Sequence, residues 1–436
     1  MTFFVIVQVM RVTCRQWLDK TTICPNNRCA GRKVSVKMLL ARCCGSRILH
    51  FGSVRGTMWV LMKRQGWNMN LTDMATKFRR DLHRIPELHD DLPLTCAYVK
   101  EALAGLPCTV TEPSKSAICA FFDFGRPETV AWRADMDALP VTETCDTPWK
   151  SVHEGRMHAC GHDGHTAMAL ALAHWVGHQQ YMPRNVLFVF QPAEETTGGA
   201  RQIVESGVFA ERNVTRVFGM HVWPELPFGT IASCPGPMFA KSSEVNVDIE
   251  GVSAHIARAR EGADALEAGV RFVSEAYGMI AGEVAPEQPK LLKFGMMHSG
   301  TVRNALSAST QIRGSLRAFE PDVFEFMKKR LFEIASKVSE ETGARVCLTL
   351  NEGYPPVLND PALYEKAVEC LEGAMARLPE PAMTAEDFSF YQQAAPGVFM
   401  CLGTGGKYPL HSEKFDFDEA ALGIGVEAAI KLLCAV

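Results

Sequence analysis

Residues 166–192 have the sequence TAMALALAHWVGHQQYMPRNVLFVFQP, in which an apolar helical run is followed by a β-rich run that ends at a proline. The same alternation continues on both sides of this stretch. Upstream, AICAFFDFG (117–125) and ETVAWRADM (128–136) have the pattern of buried strands. Downstream, a helix is predicted over GGARQIVESGVF (198–209) and a strand over VTRVFGMHV (214–222). Strands that alternate with helices predict an α/β fold, with parallel strands and helices on both faces of the sheet.

The pattern changes near residue 235. Residues 243–354 contain, in order, an alternating strand, a long helix, two strands, a second long helix and a final strand. This βαββαβ order is that of a ferredoxin-like α+β domain. The remaining residues return to the first pattern, so we expect one α/β domain formed by residues 69–234 and 352–436, interrupted by an inserted ferredoxin-like domain at residues 235–351.

The net charge of −4 is unevenly distributed along the 436 residues. Residues 1–68 hold twelve Lys or Arg and a single acid, so they carry +11 and the rest of the chain carries −15. An acidic body argues against nucleic acid as a ligand, because phosphate contacts require clustered basic side chains. The basic segment lacks the periodic pattern of the rest, and we expect it to be a disordered or untranslated extension before a folded protein that starts at Met69; a targeting peptide is the alternative.

The fifteen cysteines are odd in number and irregularly spaced. This distribution does not fit a disulfide framework and favours a reduced, cytoplasmic compartment. Hydrophobic residues make up 47% and charged residues 22% of the chain, as in ordinary globular proteins. The sequence has no uncharged apolar run of about 18 residues, so we expect no membrane contact.

The stretch HACGHDGH (158–165) places Cys160 and His162 between a predicted strand and a predicted helix. Thiolate and imidazole are good ligands for zinc and related divalent ions. Taken alone, the same pattern also fits a buried cysteine beside surface histidines.

Four further residues fall where strands of the predicted sheet end or turns follow them. Glu194 and Glu195 close the run FQPAEE at the carboxyl end of an apolar strand, where open α/β sheets bind their ligands. Because neighbouring side chains diverge, one carboxylate can bind a metal ion while the other takes a proton from water. His221 ends another strand and His411 follows a glycine-rich turn in YPLHSEKF. Each alone is compatible with a structural role, but their convergence on one sheet favours a metal site.

Two acids follow a third strand in WRADMDALP, namely Asp135 and Asp137. An aspartate at this position can orient a ligating histidine by accepting its second N–H. It can equally cap the next segment, and the sequence leaves both roles open.

Seven stretches resemble, in order, those of the M20 metallopeptidase family. They are RRDLHRIPEL, WRADMDALP, EGRMHACGHDGHTAM, FQPAEE, GMHVWPELPFGTI, TAEDFSFY and PLHSEKF. They are most similar to the amidohydrolase branch that holds hippurate hydrolases, plant auxin-conjugate hydrolases and N-acetyldiaminopimelate deacetylases. The resemblance covers nearly all of residues 69–436. It implies a di-metal exopeptidase-like catalytic domain, an inserted lid or dimerisation domain, and hydrolysis of the amide of a small N-acyl amino acid.

The resemblance also implies two divalent ions, which would be zinc, manganese, cobalt or nickel. The implied metal ligands, with the cysteine bridging the two ions, are Cys160, His162, Glu195, His221 and His411. His162 and Glu195 would complete one side, and His221 and His411 the other side or the far end of the bridge. The implied catalytic residues are Glu194 as general base and acid, Asp137 in support of His162, and His255 of the lid at the oxyanion. The implied substrate contacts are Asn304 and Arg317.

The lid motifs depart from the family pattern. SAHIARAR lacks a second histidine and NALS (304–307) lacks a proline, while SGTVRN and FAKSSE are closer to the diaminopimelate deacetylases. The substrate therefore stays open among N-acyl amino acids, and a dipeptidase or carboxypeptidase of the same family is an alternative. A cysteine hydrolase that uses Cys160 as nucleophile and a binding protein without turnover are alternatives of other classes. The long helices and edge strands of the lid are compatible with a homodimer, and equally with helices that only cover the ferredoxin-like sheet.

Overall fold

The computed structural model describes residues 70–351 and 353–436. The expectations about the basic segment and about a start at Met69 lie outside these residues. No helix in the described part of the chain combines the length and the apolar character that crossing a membrane requires.

The described elements are labelled here in chain order. The helices are α1 Leu71–His83, α2 Pro93–Leu103, α3 His162–Gly177, α4 Gly199–Glu205, α5 Val208–Glu211, α6 Ala265–Gly282, α7 Pro321–Thr342, α8 Pro361–Cys370, α9 Ser389–Ala394 and α10 Ala420–Ala435, with a short 3-10 helix at Ile256–Glu261. The strands are β1 Thr109–Thr111, β2 Ile118–Phe122, β3 Thr129–Asp135, β4 Asn185–Gln191, β5 Val214–Trp223, β6 Ile231–Ser233, β7 Gly236–Phe239, β8 Lys241–Glu250, β9 Lys290–Ser299, β10 Ser309–Ala318, β11 Arg345–Leu350, β12 Val357–Asn359, β13 Met375–Arg377 and β14 Gly397–Gly403.

The larger sheet has eight strands in the order β1-β2-β4-β3-β5-β14-β6-β13. Its centre is parallel, since β3 pairs in parallel with β4 and β5, and β5 with β14. The predicted α/β class is confirmed, but the sheet is mixed: β2 runs antiparallel to β4, and β6 to β14. Residues 123–128 join β2 to β3, and so short a connection cannot form the crossover that parallel strands require.

Helices cover both faces of this sheet. On one face, α1, α3 and α10 pack over Phe122, Trp132 and Phe188. On the other, α4, α5 and α9 pack around Phe399. Helix α3 is buried along almost its whole length, which explains why its sequence is apolar on all sides.

The inserted sheet has the order β11-β8-β10-β9 with every neighbouring pair antiparallel. Helices α6 and α7 share one core with it, so the predicted ferredoxin-like arrangement is confirmed. Strand β7 pairs instead with β12 in a separate ribbon. The strands of the inserted sheet thus lie between Lys241 and Leu350, slightly inside the predicted range 235–351.

Candidate metal centre

Gly161 sets the directions of the first two candidate ligands. It has φ +85°, and a Cβ at this position would lie 2.4 Å from Cγ2 of Val222, so only glycine fits. Cys160 precedes this turn, and His162 follows it as the first residue of α3. Both side chains are buried, and the turn aims them into the carboxyl end of the parallel strands.

Cys160 belongs to two groups of candidate ligand atoms that lie within 4.8 Å of one another. One group joins it to His162 and His221, and the other joins it to Glu195 and His411. Its Sγ is 3.4 Å from Nε2 of His221. The side chains of the five implied ligands therefore meet around one thiol. His162 also belongs to a group with Glu194 and Glu195, and its Nε2 is 3.9 Å from Oε1 of Glu195.

The turn that carries Glu194 and Glu195 follows β4 and is held by Asp137. The two carboxylate oxygens of Asp137 accept the backbone N–H groups of Glu194 and Glu195, each at 3.1 Å. The preceding residue, Ala193, has φ +58°, and His411 has φ +68°. Such left-handed conformations cost about 1–3 kcal/mol each and are retained where the surroundings impose them. Here they bring Nε2 of His411 to 3.3 Å from Oε1 of Glu195.

His162 is oriented through its second ring nitrogen. Its Nδ1 donates to the backbone carbonyl of Asp137 at 2.9 Å, and the carboxylate Oδ1 of Asp137 lies 3.5 Å away. The backbone carbonyl of Asp137 thus accepts the hydrogen bond from His162, while the carboxylate of Asp137 holds the Glu194–Glu195 turn. Asp137 therefore orients His162 through its backbone carbonyl and holds the Glu194–Glu195 turn through its side chain.

His165 was not among the predicted site residues, yet it lies against the cluster. Its Nδ1 donates to Oδ1 of Asp135 at 2.6 Å, and its Nε2 accepts the backbone N–H of Val222 at 2.9 Å. Both ring nitrogens form hydrogen bonds, so the ring is neutral and connects Asp135 to the backbone of Val222. Burial lowers the pKa of His165 despite the adjacent Asp135. Its ring centroid is 4.4 Å from that of His221. The sequence feature that could have identified His165 is its position one helical turn after His162.

The electrostatics of the cluster favour a cation. Burial alone would lower the pKa of His162, but the carboxylates of Asp135 and Asp137 outweigh it and raise that pKa to about 10. Burial, reinforced by His165, holds the pKa of His221 well below its usual range, which leaves the neutral imidazole that binds metals. The carboxylates that stabilise a proton on His162 would also stabilise a metal cation at this position.

Among the described residues, Nε2 of His162 and Oε1 of Glu195 are buried at the centre without a hydrogen-bond partner, although Oε1 of Glu195 lies within ion-pair distance of His411. Buried polar atoms are rarely left unpaired, because the desolvation cost is about 1–3 kcal/mol each. Both atoms belong to the metal-ligand groups around Cys160. The residues present therefore fit divalent cations, since a cation there would satisfy both atoms at once.

A second buried acidic pair, Glu386 and Asp387, lies beside Glu194. Nη2 of Arg133 is 2.8 Å from Oε1 of Glu386 and 2.8 Å from Oδ1 of Asp387, and its Nη1 is 2.8 Å from Oδ2 of Asp135. Burial raises the pKa of Glu386 to about 8 in spite of Arg133. Burial, together with the charge of Glu386, also holds the pKa of Glu194 well above its usual range. The pair lies within TAEDFSFY, to which the sequence assigned no role.

The residues predicted on the inserted domain lie apart from the cluster. His255 and Asn304 are exposed and neighbour each other, since the N–H of Ile256 donates to the carbonyl of Asn304 at 3.1 Å. Arg317 is partly buried on β10, where its Nη1 donates to the carbonyl of Met383. Within residues 70–351 and 353–436, none of these three side chains forms a hydrogen bond or ion pair with the five implied ligands.

Comparisons with known proteins agree with this geometry. Residues 131–435 match the family described as Peptidase family M20/M25/M40. A protein named N-acetyldiaminopimelate deacetylase from Streptococcus uberis is 37% identical over 79% of this chain and 94% of its own length. A protein of the same name from Streptococcus sanguinis is 35% identical over 81% and 96%.

Solved structures show the same fold. A crystal structure described as a putative aminohydrolase from methicillin-resistant Staphylococcus aureus superposes with a TM-score of 0.78 at 28% identity, over 84% of this chain and 97% of that one. A Bacillus subtilis protein described as a dinuclear metal-binding peptidase from the M20 family superposes with a TM-score of 0.72 at 28% identity, over 84% and 98%.

Proposed function

The chain belongs to peptidase family M20/M25/M40, and we propose that it is a metal-dependent deacylase that hydrolyses the amide of a small N-acyl amino acid. N-acetyldiaminopimelate and related N-acetyl amino acids are the proposed substrates. The names of relatives at 37% and 35% identity support this choice. So do the lid segments SGTVRN and FAKSSE, which resemble those of the deacetylases.

One observation carries the proposal: Glu194 is buried beside the ligand cluster with its carboxylate available. One oxygen each of Glu194 and Glu195 and a ring nitrogen of His162 lie within 4.8 Å of one another. Glu194 is 8% exposed, yet no hydrogen bond from another described residue reaches its carboxylate. A buried carboxylate that accepts no hydrogen bond from the described residues is suited to take a proton from water. A protein that only binds its ligand has no need of such a group.

The proposed ligands of two divalent ions are the side chains that converge on one thiol, Cys160, His162, Glu195, His221 and His411. Such ions supply Lewis acidity, which polarises an amide carbonyl and acidifies nearby water. Thiolate and imidazole favour zinc, and the carboxylate admits manganese, cobalt or nickel. A reducing compartment such as the cytoplasm suits the site, because Cys160 has to stay reduced to act as a ligand.

The chain's own residues then carry out the proton transfers. The Glu194 carboxylate accepts the proton of the attacking water and later delivers it to the nitrogen of the leaving amine. Asp137 keeps the Glu194 backbone in place through the N–H that it accepts. Burial in the cluster excludes bulk water and strengthens each of these interactions.

The inserted domain would supply the remaining contacts after it closes over the site. Nδ1 of His255 accepts the backbone N–H of Ala257 at 3.2 Å, so in the neutral ring Nε2 carries the hydrogen. That N–H is a suitable donor to a developing oxyanion. Arg317 has no carboxylate partner among the described residues, which leaves its guanidinium available for the carboxylate of the substrate, with Asn304 as a further contact.

Substitutions on the inserted domain should separate substrate binding from turnover. We expect Arg317→Ala to raise KM by about 10- to 100-fold, because a charge-assisted hydrogen bond is worth about 1.5–3 kcal/mol. We expect His255→Ala to lower kcat by about 10²-fold, because one oxyanion donor is lost. Metal content, measured by elemental analysis, should not change in either variant. Arg313→Ala, on the same strand and paired with Asp248, is the matched control. An unchanged kcat in His255→Ala would rule out the closure idea.

The test of the proposed function is a substrate panel on protein reconstituted with zinc, manganese, cobalt or nickel. The panel contains N-acetyldiaminopimelate, hippurate, acetylated aromatic and aliphatic amino acids, and dipeptides. Release of the free amino acid is measured for each. Cleavage of N-acetylated amino acids above dipeptides supports the proposal, preference for dipeptides supports the dipeptidase alternative, and no release with any metal would rule both out.

We also propose a homodimer through the inserted domain. Helix α6 carries exposed Leu266, Val270 and Tyr277, spaced four and seven residues apart and therefore on one face of the helix. The adjoining strand β9 is an edge of its sheet, and unpaired edges invite pairing with another chain. We expect the full chain to sediment as a dimer and Val270→Glu to sediment as a monomer. A monomeric wild-type chain at micromolar concentration would contradict this.

A further inference from the structure

Tyr354 lies on the connection that returns the chain from the inserted sheet to the larger domain. Strand β11 ends at Leu350 and β12 begins at Val357, so this connection is one of the two places where the chain crosses between the domains. The Tyr354 hydroxyl donates to the backbone carbonyl of Glu194 at 2.6 Å. The two residues are 160 positions apart, so the sequence gives no hint of the contact.

The peptide groups of Glu194 are thereby held from two sides. Its N–H donates to Oδ1 of Asp137 at 3.1 Å, and its carbonyl accepts from Tyr354. The preceding Ala193 is in the left-handed region at φ +58°, a conformation that needs support from its surroundings. The direction in which the Glu194 side chain leaves the backbone therefore depends on both anchors.

The ring of Tyr354 is itself well fixed. Gly198 has φ +79°, and a Cβ there would lie 2.8 Å from Cε1 of Tyr354, so glycine leaves room for the ring. The ring of Phe390 meets it edge-on, with centroids 6.2 Å apart and an interplanar angle of 74°. Burial raises the pKa of Tyr354, so its hydroxyl stays protonated and remains a donor.

We propose that Tyr354 is a positioning residue for Glu194, which links the orientation of the general base to the connection between the two domains. The inference rests on the proposed function for the role of Glu194. The hydroxyl touches no reacting atom; it fixes the carbonyl of the base and so the place of the carboxylate. Because Tyr354 lies on the connection between the two domains, movement of the inserted domain would shift Glu194 through this hydrogen bond.

The test is Tyr354→Phe, which removes one hydroxyl and keeps the ring. We expect kcat to fall about tenfold, the loss of roughly one hydrogen bond, with KM within about twofold and the metal content per chain unchanged. Hydrogen–deuterium exchange of the peptide that contains residues 190–198 should become faster, because one anchor of the turn is lost. Tyr98→Phe is the matched control: that partly buried tyrosine also donates at 2.6 Å, to Asp81, and also meets a phenylalanine edge-on.

Each outcome decides the inference. A lower kcat with faster exchange at residues 190–198, absent from Tyr98→Phe, supports it. Wild-type kcat and wild-type exchange in Tyr354→Phe would overturn it, and so would a parallel loss of metal, which would indicate a general structural role. If the wild-type chain cleaves nothing in the substrate panel, the proposed function fails, whereas the exchange experiment still tests whether Tyr354 anchors the turn.

Discussion

Glu194→Gln should lower kcat by about 10²- to 10⁴-fold while the protein keeps its metal ions. Glutamine has nearly the same size as glutamate but cannot take a proton at neutral pH. The substitution leaves the implied ligands Cys160, His162, Glu195, His221 and His411 untouched, and it removes one of the acids crowded beside Glu386. The fold should therefore be retained, and thermal unfolding should occur at or above the wild-type temperature.

The measurement combines steady-state kinetics on the best substrate of the panel with elemental analysis of the same sample. Glu211→Gln is the control, because Glu211 is exposed on α5 and the change is chemically identical. Near-normal turnover in Glu194→Gln would remove this residue from the role of base. A variant that lost both turnover and metal would indicate instead that Glu194 holds an ion.

Local motifs made most of the candidate metal site predictable. Four of the five implied ligands lie in three short runs, HACGHDGH, FQPAEE and YPLHSEKF, and the fifth lies near the end of β5. The spacing within each run limits the directions in which its side chains can point. A parallel sheet brings the ends of its strands to one edge, so the meeting of Cys160, Glu195 and His221 followed from the α/β pattern. The left-handed conformation of His411 could not be predicted from the sequence, because non-glycine residues rarely adopt it.

The supporting contacts could not be predicted, because they join residues far apart in sequence. Arg133 meets Asp387 across 254 positions, and Tyr354 meets Glu194 across 160. Nothing in the local pattern around TAEDFSFY shows that its acids face an arginine on β3. The alternation of strands and helices predicts a parallel sheet. The antiparallel direction of β2 depends instead on the short loop between β2 and β3 and on the order of the strands.

Cys160→Ala is the second substitution for which we expect a large effect, on both metal content and turnover. The Sγ of Cys160 belongs both to the group with His162 and His221 and to the group with Glu195 and His411, so a single substitution removes a candidate ligand from each group. Loss of a partner that merely orients a ligand already costs roughly 10- to 100-fold in metal affinity, and loss of a side chain that would bind the ions directly should cost more. We expect the metal content of Cys160→Ala to fall by at least one ion per chain and its turnover to fall below detection. Cys119→Ala, which removes a thiol that is 1% exposed on β2, should retain both.

The same experiment separates the metal site from a cysteine nucleophile. If Cys160 attacked the amide itself, Cys160→Ala would lose turnover but keep any bound metal, and wild-type activity would survive a chelator. The 3.4 Å distance from Sγ to Nε2 of His221 is short enough for a thiol–imidazole pair, but burial, reinforced by Glu195 and Glu194, holds the pKa of the thiol well above its usual range. A thiol among carboxylates is a poor nucleophile until a cation replaces its proton. Wild-type activity should therefore disappear on chelation and return when divalent ions are added back.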